Sequence, residues 1–510
     1  MPLMAALALV VTALAGYFLL YTKPALPIRG PSPRSWIFGN LKELLLAREY
    51  GHCEVIWRET YGQVYQLRGC FGQSRLVVSD PAAIRALING ELAKWAHGQA
   101  RIGDALFGEG SLFLARGARH KHLRGVMNPW FSQRSRRQML PAMKAAVEAR
   151  VESLDAEVER AHGSAFDIGR SFHKLALDVL GGALLEGMEA QSGGLADIQM
   201  QLAAAVDGVS PGAILANALL PYIPKALCRL ATRLPLLREY HATTDRMSAD
   251  LVQLKQKEQS ADESFVGSLV HNGSFSRAEI AVHVRTMMIA GTETTGNTLS
   301  WIFYHLAQMP EYQSRLRDEI HAADDGAASM PLLNALINET LRLYPAFPLA
   351  ERITTRDCVL PLSEPIRLST GEMASEVSLR EGQFLYISIA GYHRNKSLWG
   401  ENADEFRPER WLGSKPPCKG PSLGPHASLL TFWSGSTVCI GYRFALQELY
   451  VATVELVRRF KFSLPTQREL QVRPVLSIGS KEWRTVAQWL RYTSHPHAQS
   501  KEMYMCTDQH

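Results

Sequence analysis

The sequence predicts a mainly α-helical fold with small β subdomains, as three stretches indicate. Across residues 82–309 the apolar side chains recur mostly at helical spacing. Residues 62–80 and 352–389 instead contain short alternating runs punctuated by glycines, which is typical of strands and turns. With 510 residues, 46% of them hydrophobic and 20% charged, the chain can bury a sizeable core and lacks a disordered composition.

The amino terminus is predicted to be a membrane anchor. Residues 1–21 contain no charged side chain, and about 20 apolar residues are what a helix needs to cross a bilayer. The first charges that follow are basic, which favours a cytosolic body. A cleaved signal peptide is the alternative, but it would have a basic n-region and a shorter apolar stretch. The predicted order is anchor 1–22, proline-rich hinge 23–34, one large domain 35–495 and tail 496–510.

Charge and cysteine content exclude several classes of protein. The formal charge of +6 is scattered along the chain, so no nucleic-acid-binding surface is predicted. This balance suits an anionic membrane or an acidic partner, and a plain solvated surface equally well. The seven cysteines are widely spaced and contain no CxxC pair. That pattern argues against a disulfide framework or a zinc site and favours a reducing compartment.

A long central helix is predicted from residue 276 onward. Ser276 followed by Glu279 fits a capping box, in which hydroxyl and carboxylate each satisfy a backbone donor. The helical pattern then continues to Met309, where Pro310 ends it. At 1.5 Å per residue the helix is roughly 50 Å long, enough to cross a whole domain.

The middle of this helix, "AGTETTGNT", conflicts with its own secondary structure. It holds two glycines, four threonines and a glutamate, and glycine and threonine both weaken helices. One interpretation is a kink whose threonines hydrogen-bond back to carbonyls. The other is an acid–alcohol pair, Glu293 and Thr294, that opens a groove for water and a small ligand. Buried polar groups are costly, which favours the functional interpretation.

The sequence of two further segments does not by itself decide their role. Residues 207–230 are apolar and broken by three prolines, so they form either a buried helix pair or a membrane-dipping lip that admits lipophilic substrate. Glu339 and Arg342 form an ExxR pair on one helix face, a pattern too common to be specific. The same spacing recurs at Glu157/Arg160, Glu364/Arg367 and Glu455/Arg458. With Arg410 of "FRPERW", this pair predicts a buried structural network that pins the following loop.

That loop, "FWSGSTVCIGYRFA", places Cys439 just before a helical pattern. A helix amino terminus favours an anion, so the thiol pKa is expected to be lowered there. Gly435 permits a tight turn, and Gly441 lets something large come close. A thiolate in this setting suits a metal ligand at least as well as a nucleophile. A metal bound by one protein sulfur takes its other ligands from elsewhere, and haem supplies four nitrogens.

Taken in order, these motifs resemble those of the cytochrome P-450 family, in its eukaryotic, microsomal, membrane-anchored form and in the style of fungal members. The likeness covers nearly the full length of the chain. The family's motifs match as follows: FxxGxRxCxG at Phe432, Gly435, Cys439 and Gly441; AGx(D/E)T at Ala290, Gly291, Glu293 and Thr294; ExxR at Glu339 and Arg342; and PER(F/W) at Pro408–Trp411. One departure is Thr437, where the motif has an arginine that pairs with a haem propionate.

The resemblance implies a cofactor and roles for the matched residues. Haem b is bound through the Cys439 thiolate, and Glu293 and Thr294 relay protons to dioxygen. The remaining haem contacts come from His120, Arg124, Arg352, Phe432, Gly435 and Gly441. With no arginine at 437, haem affinity or redox potential is expected to be altered.

The implied activity is oxygenation of a lipophilic small molecule, in the manner of terpenoid or polyketide-like secondary metabolism. Electrons come from NADPH through cytochrome P-450 reductase, with cytochrome b5 as a further partner, at the endoplasmic reticulum membrane. Pocket walls are expected from residues 99–114, 206–219, 287–295, 346–353 and 476–480. The alternatives are an enzyme that uses or rearranges peroxides without a reductase, and a non-catalytic relative that binds haem poorly.

Overall fold

The computed structural model describes most of the chain between residues 26 and 463 and two short stretches beyond. The described residues are 26–46, 51–160, 168–186, 192–207, 211–220, 223, 234–257, 264–324, 329–463, 492–493 and 501–504. The predicted anchor, residues 1–22, lies outside them. No helix in the described part is both long enough and apolar enough for a bilayer span.

Helices dominate the described residues, which confirms the predicted fold class. They are α1 (Leu41–Leu45), α2 (His52–Tyr61), α3 (Pro81–Asn89), α4 (His97–Phe107), α5 (Gly117–Met127), α6 (Gln133–Arg160), α7 (Ile168–Val179), α8 (Ser192–Asp207), α9 (Pro211–Leu219), α10 (Pro235–Lys257), α11 (Phe265–His271), α12 (Arg277–Gln308), α13 (Pro310–Asp324), α14 (Pro331–Leu343), α15 (Ile389–His393), α16 (Lys396–Trp399) and α17 (Tyr442–Arg459). A π turn, Leu180–Leu184, extends α7.

The strands form three small sheets at the edges of the helical body. They are β1 (Val64–Arg68), β2 (Ser74–Val78), β3 (Ala93–Trp95), β4 (Leu349–Thr354), β5 (Cys358–Arg367), β6 (Met373–Leu379), β7 (Phe384–Ser388), β8 (Phe460–Ser463), β9 (Tyr492–Thr493) and β10 (Lys501–Tyr504). The sheet orders are β1-β2-β7-β4-β3, β5-β6 and β8-β10-β9. Both predicted strand-rich stretches are therefore confirmed. Strand β10 lies within the predicted tail and pairs parallel to β8.

The central helix, α12, is built as its sequence predicts. Both halves of the capping box are present, since Ser276 accepts from the Glu279 N–H and the Glu279 carboxylate accepts from the Ser276 N–H. The helix ends at Gln308, and Pro310 begins α13. Most of its side chains are buried, so α12 runs through the core rather than along the surface.

The glycines and threonines of α12 have a packing explanation. A Cβ on Gly291 would lie 2.5 Å from Leu180 Cδ1, and one on Gly296 would lie 2.8 Å from His173 Cγ. The glycines therefore let α7 and its π turn approach closely. The Thr294 hydroxyl donates to the carbonyl one turn back, at 2.7 Å from Ala290 O, so the back-bonding interpretation is correct there.

The proline-rich segment and α9 both pack against other parts of the domain. Within the predicted hinge, Ile28 is buried, and the Gln66 N–H donates to the Arg29 carbonyl at 2.9 Å. In the open segment 207–230, α9 buries Ile214 and Ala218 against apolar residues of α1. The rest of that segment, apart from residues 207, 220 and 223, lies outside the described residues.

Two buried histidines on α12 are held in the neutral form. The His305 ring is stacked on Phe406, with centroids 3.6 Å apart and an interplanar angle of 4°. Burial lowers the pKa of His305 to about 3. Burial, assisted by Arg119 and opposed by Glu279, lowers the pKa of His283 to about 4. Their charged forms are therefore disfavoured in the folded state.

Acid should destabilise the fold through these two histidines. Above pH 6.5 both histidines are neutral in the folded and in the unfolded chain, so they do not change the free energy of unfolding. As pH falls from 6.5 toward 4 and 3, only the unfolded chain takes up protons. Each histidine should then remove about 1.4 kcal/mol at pH 5.5 from the free energy of unfolding. Urea unfolding of the whole protein at pH 7.5 and 5.5 measures this loss. His305→Phe should reduce the loss by its own share.

The exposed His321 supplies the control for this measurement. It lies on α13, away from the aromatic stack. The His321→Gln variant should show the same loss between pH 7.5 and 5.5 as the unaltered protein. An unchanged loss in His305→Phe would contradict the assignment.

Candidate active site

The cysteine loop is held by backbone and arginine contacts. The Cys439 N–H donates to the Phe432 carbonyl at 2.9 Å, which closes the loop. Gly435 has φ +67°, and a Cβ there would lie 2.9 Å from the Ile88 side chain, so the tight turn needs glycine. Arg124 of α5 donates to the Val438 carbonyl at 2.8 Å. Cys439 thereby sits just before Gly441, the residue that caps α17.

The predicted lowering of the Cys439 pKa is wrong for the protein alone. Burial raises the pKa of this thiol, and the Gly441 N–H and Arg124 lower it only in part. The position at a helix start was visible in the sequence, but the depth of the loop was not. Yet the Cys439 side chain is exposed. A thiol that is both exposed and surrounded by protein must face an interior space.

The central helix α12 opens on an interior space as well. Ala290 is exposed in the middle of the helix, although Ile289, Thr292 and Glu293 around it are buried. Thr294, one turn after Ala290, is half-buried on the same face. Helices α12 and α17 pack against each other. The structure therefore offers a sulfur and a small-residue helix face to the interior of the molecule.

Glu293 and Thr294 do not point the same way. Successive helix residues are about 100° apart, and the Glu293 carboxylate is turned toward α7. There its Oε2 lies 3.9 Å from Nε2 of His173, and both side chains are buried. The structure thus places the predicted acid and alcohol on adjoining faces of α12.

Arg352 is a buried cation beside the cysteine loop. Its guanidinium lies 3.4 Å from the Trp95 ring centroid and 4.7 Å from that of Trp433. Among the described residues its hydrogen bond goes to the Glu351 carbonyl, at 3.1 Å, and not to a carboxylate. Burial and then Arg116 lower the pKa of Arg352, and Glu351 offsets this only in part. A buried guanidinium of this kind would be stabilised by a bound anion.

The backbone of Trp433 is unusual. Its φ is +60°, a region that costs a residue other than glycine roughly 1 kcal/mol or more. The strained conformation places its indole against Arg352. Together with Trp95 it holds the guanidinium on both sides.

The α5 residues lie along one helix face toward the loop. His120 and Arg124 are one turn apart and half-buried. Burial and then Arg124 lower the pKa of His120, while Glu91 raises it. Arg116, one further turn back and close enough to act on Arg352, extends the row. Thr437 is exposed on the loop, and its neighbour Ser436 donates to Glu91 at 3.1 Å.

Glu339, Arg342 and Arg410 form a buried network. Both oxygens of Glu339 accept from Arg342, at 2.8 and 2.9 Å, and Oε1 also accepts from Arg410 at 2.9 Å. The Glu339 and Arg342 side chains are completely buried. Burial acts to raise the pKa of Glu339, but the bonds and charges of the two arginines bring it below its usual value.

A series of hydrogen bonds joins the network to the cysteine loop. Arg342 donates to the His393 carbonyl at 2.7 Å. The His393 ring accepts from the Leu430 N–H at 2.8 Å. Next to it, Thr431 donates to the Leu341 carbonyl of α14 at 2.6 Å. Leu430 and Thr431 precede Phe432, so the start of the loop is fixed by the helix that carries the network.

A cleft of about 670 Å³ lies between α4, α10 and the first turns of α12. Its lining includes Asp104, His241 and Arg285, and no residue of the cysteine loop. Residues 99–114, one of the predicted pocket walls, contribute to it. The predicted wall at 476–480 lies outside the described residues.

Sequence reasoning missed four residues that the structure brings to this region. They are Trp95, Arg116, His173 and Trp433. Arg116 was detectable, since it precedes His120 and Arg124 at the same helical spacing. The other three carry no local signal, because their partners are distant in the chain.

Comparison with known proteins agrees with this geometry. The family model described as "Cytochrome P-450" matches residues 29–482. Cytochrome P-450 monooxygenase 219 of Postia placenta is 30% identical over 497 residues, which cover 88% of this chain and 89% of that protein. Cytochrome P-450 monooxygenase 205 of the same fungus and cytochrome P-450 monooxygenase claU of Ampulloclitocybe clavipes are each 28% identical, over 88% of both chains.

Proposed function

Since the chain belongs to the cytochrome P-450 family and is a monooxygenase, we propose that it oxidises a lipophilic small molecule with electrons delivered from NADPH through a reductase. The observation that carries this proposal is the Cys439 thiol, which faces an interior space although the loop itself is deeply set. The central helix α12, which packs against α17, exposes the small Ala290 in its middle.

The residues of the site fit a haem with a sulfur ligand. The buried Arg352, with Arg116 beside it, lacks a carboxylate among its described contacts, and haem propionates are such anions. His120, Arg124 and Arg116 line one side, and the chain holds Cys439 between Phe432 and Gly441. When bound, haem supplies the activation of dioxygen, which a thiolate ligand promotes by donating electron density. A coordinated thiol is deprotonated outright, which overrides its raised pKa.

In this proposal the chain's own residues position the cofactor and supply protons. Arg116 provides a positive charge where Thr437 provides none. Phe432, Gly435 and Gly441 shape the loop around the sulfur. Thr294 presents its hydroxyl to the interior space, and Glu293 passes protons on from the adjoining face of α12. The Glu339–Arg342–Arg410 network keeps the loop in place.

The chain is proposed to act at the endoplasmic reticulum membrane, with residues 1–22 as anchor and 23–34 as hinge. Two described features support membrane contact. The apolar helix α9 packs on α1, just beyond the amino-terminal segment. Trp36 and Ile37, in the same region, are 65% and 42% exposed. A reductase and cytochrome b5 on the same membrane are the proposed electron donors, and a lipophilic secondary metabolite is the proposed substrate.

Thr294→Ala should separate reductase-driven from peroxide-driven chemistry. Without the hydroxyl, proton delivery fails while the thiolate site stays intact. Product formation with NADPH and reductase should therefore fall on the order of 10²-fold, with NADPH still consumed. Product formation with hydrogen peroxide should persist. Mass spectrometry of products from a lipophilic substrate panel, together with NADPH oxidation, measures both.

Thr298→Ala is the matched control, because Thr298 also donates to the carbonyl one turn back, at 2.8 Å from Thr294 O. It should retain NADPH-driven turnover. If Thr294→Ala loses nothing under either condition, the peroxide-rearranging alternative is favoured. A reduced carbon-monoxide spectrum without a thiolate band in the unaltered protein would favour the non-catalytic alternative.

A further inference from the structure

His173 of α7 is the residue toward which Glu293 points. Its Nε2 lies 3.9 Å from Glu293 Oε2, and the two side chains are 8% and 5% exposed. This gap exceeds a hydrogen bond, so a small rotation of the carboxylate or one intervening water completes the contact. A buried acid and a buried base thus meet across the α7–α12 interface.

The ring of His173 is fixed in orientation. Its Nδ1 lies 2.8 Å from the Gly169 carbonyl, which can only accept, so Nδ1 carries a hydrogen. Gly296 of α12 lies against the ring and leaves no room for a Cβ. In the neutral ring, Nε2 would present a lone pair to the carboxylate. The pair is therefore complete only when it holds one proton between Nε2 and Oε2.

Two further helices bring buried polar side chains into this region, Gln199 of α8 and Tyr240 of α10. Among the described residues, neither side chain makes a hydrogen bond of ideal geometry. Burial raises the pKa of Tyr240, and Gln199 and Glu293 are both close enough to act on it. Buried polar atoms of this kind are usually satisfied by ordered water, which can carry protons.

Several charged residues on the helices next to His173 have other partners. Arg150 pairs with Asp178, Arg170 and Lys174 pair with Asp197, and Glu157 accepts from Ser171. On α10 the nearest titratable group in this cluster is Tyr240, and on α12 it is Glu293. Among the described ion pairs, the carboxylate that approaches His173 is that of Glu293.

We infer that His173 is a proton-loading and positioning residue for Glu293. In the loaded state of the pair, Nε2 carries the proton and faces the Glu293 carboxylate. When Glu293 needs a proton to pass toward the Thr294 face, the Nε2–H bond breaks and an Oε2–H bond forms. The imidazole left behind keeps its Nδ1 hydrogen on Gly169 and takes a new proton at Nε2 from solvent hydronium, which becomes water. This inference rests on the proposed function.

Infrared spectroscopy of the whole protein tests the pair without requiring activity. The carboxyl bands of Glu293 are identified as those lost in Glu293→Gln. In His173→Gln the ring that faces the carboxylate is gone, so these bands should shift in frequency. Gly296→Ala, which pushes the ring away but keeps both side chains, should reproduce part of the shift. Bands that stay in place in both variants overturn the inference.

Turnover supplies the second readout. NADPH-driven product formation in His173→Gln should fall on the order of tenfold, while peroxide-driven product formation stays within about twofold. The control is His283→Gln, another buried histidine that faces Phe275 instead, and it should keep both rates. An equal fall under both conditions in His173→Gln would mean a structural role and reject the inference. Loss of all NADPH-driven product in the unaltered enzyme would reject the proposed function, whereas the infrared result would still stand.

Discussion

Cys439→Ser should abolish both the thiolate band of the reduced carbon-monoxide spectrum and NADPH-driven product formation. A serine hydroxyl does not ionise in a site where burial already raises the pKa of a thiol. It therefore cannot give the cofactor the electron density of a thiolate. The variant should keep the fold, because the loop is closed by the backbone bond between Cys439 and Phe432. Absorbance spectra and product yield, each against a sample lacking the protein, measure the loss.

Cys358→Ser is the control for this change. Cys358 is half-buried at the start of β5, in the hairpin away from the cysteine loop. This variant should keep the spectrum and the turnover. If Cys439→Ser keeps its thiolate band, the sulfur ligand lies elsewhere and the proposed function fails.

Glu339→Gln should cost about 3–5 kcal/mol of folding free energy. The change keeps the shape of the side chain but removes the negative charge between Arg342 and Arg410, which are 0% and 8% exposed. Two guanidiniums would then remain buried without compensation. Because Arg342 also bonds to the carbonyls that lead to the cysteine loop, the fraction of protein with a thiolate spectrum should fall as well. Urea unfolding and the spectrum of the purified protein measure the two effects.

The chain offers a matched control with the same spacing. Glu455 and Arg458 on α17 form another ExxR pair, at 2.5 Å, but their side chains are 20% and 32% exposed. Glu455→Gln should cost at most about 1 kcal/mol, since water screens such a pair. Similar losses in Glu339→Gln and Glu455→Gln would contradict the role assigned to burial.

Local patterns in the sequence were enough to predict the main elements of the architecture. The capping box at Ser276 and Glu279, the strands around residue 70 and the helix after Cys439 all follow from short-range spacing. These features depend on neighbours in the chain, so periodicity and capping rules describe them.

Features that depend on tertiary contacts were not predictable. The thiol pKa was expected to fall, but it rises because other elements bury the loop. The Trp95–Arg352–Trp433 stack joins residues from three distant segments. In the sequence, Gly291 and Gly296 indicate a functional site, and the structure shows that they also allow α7 and its π turn to pack closely against α12. Only the fold reveals what a glycine without a side chain makes room for.

The anchoring of Leu430 and Thr431 has a consequence for assembly. Three of the contacts that fix the cysteine loop come from distant segments, namely the His393 ring, the Leu341 carbonyl and Arg124. The conformation of the loop therefore depends on the packing of α5, α14 and α15 around it. Ordering the sulfur is thus coupled to tertiary folding, which bears the entropy cost of fixing this segment.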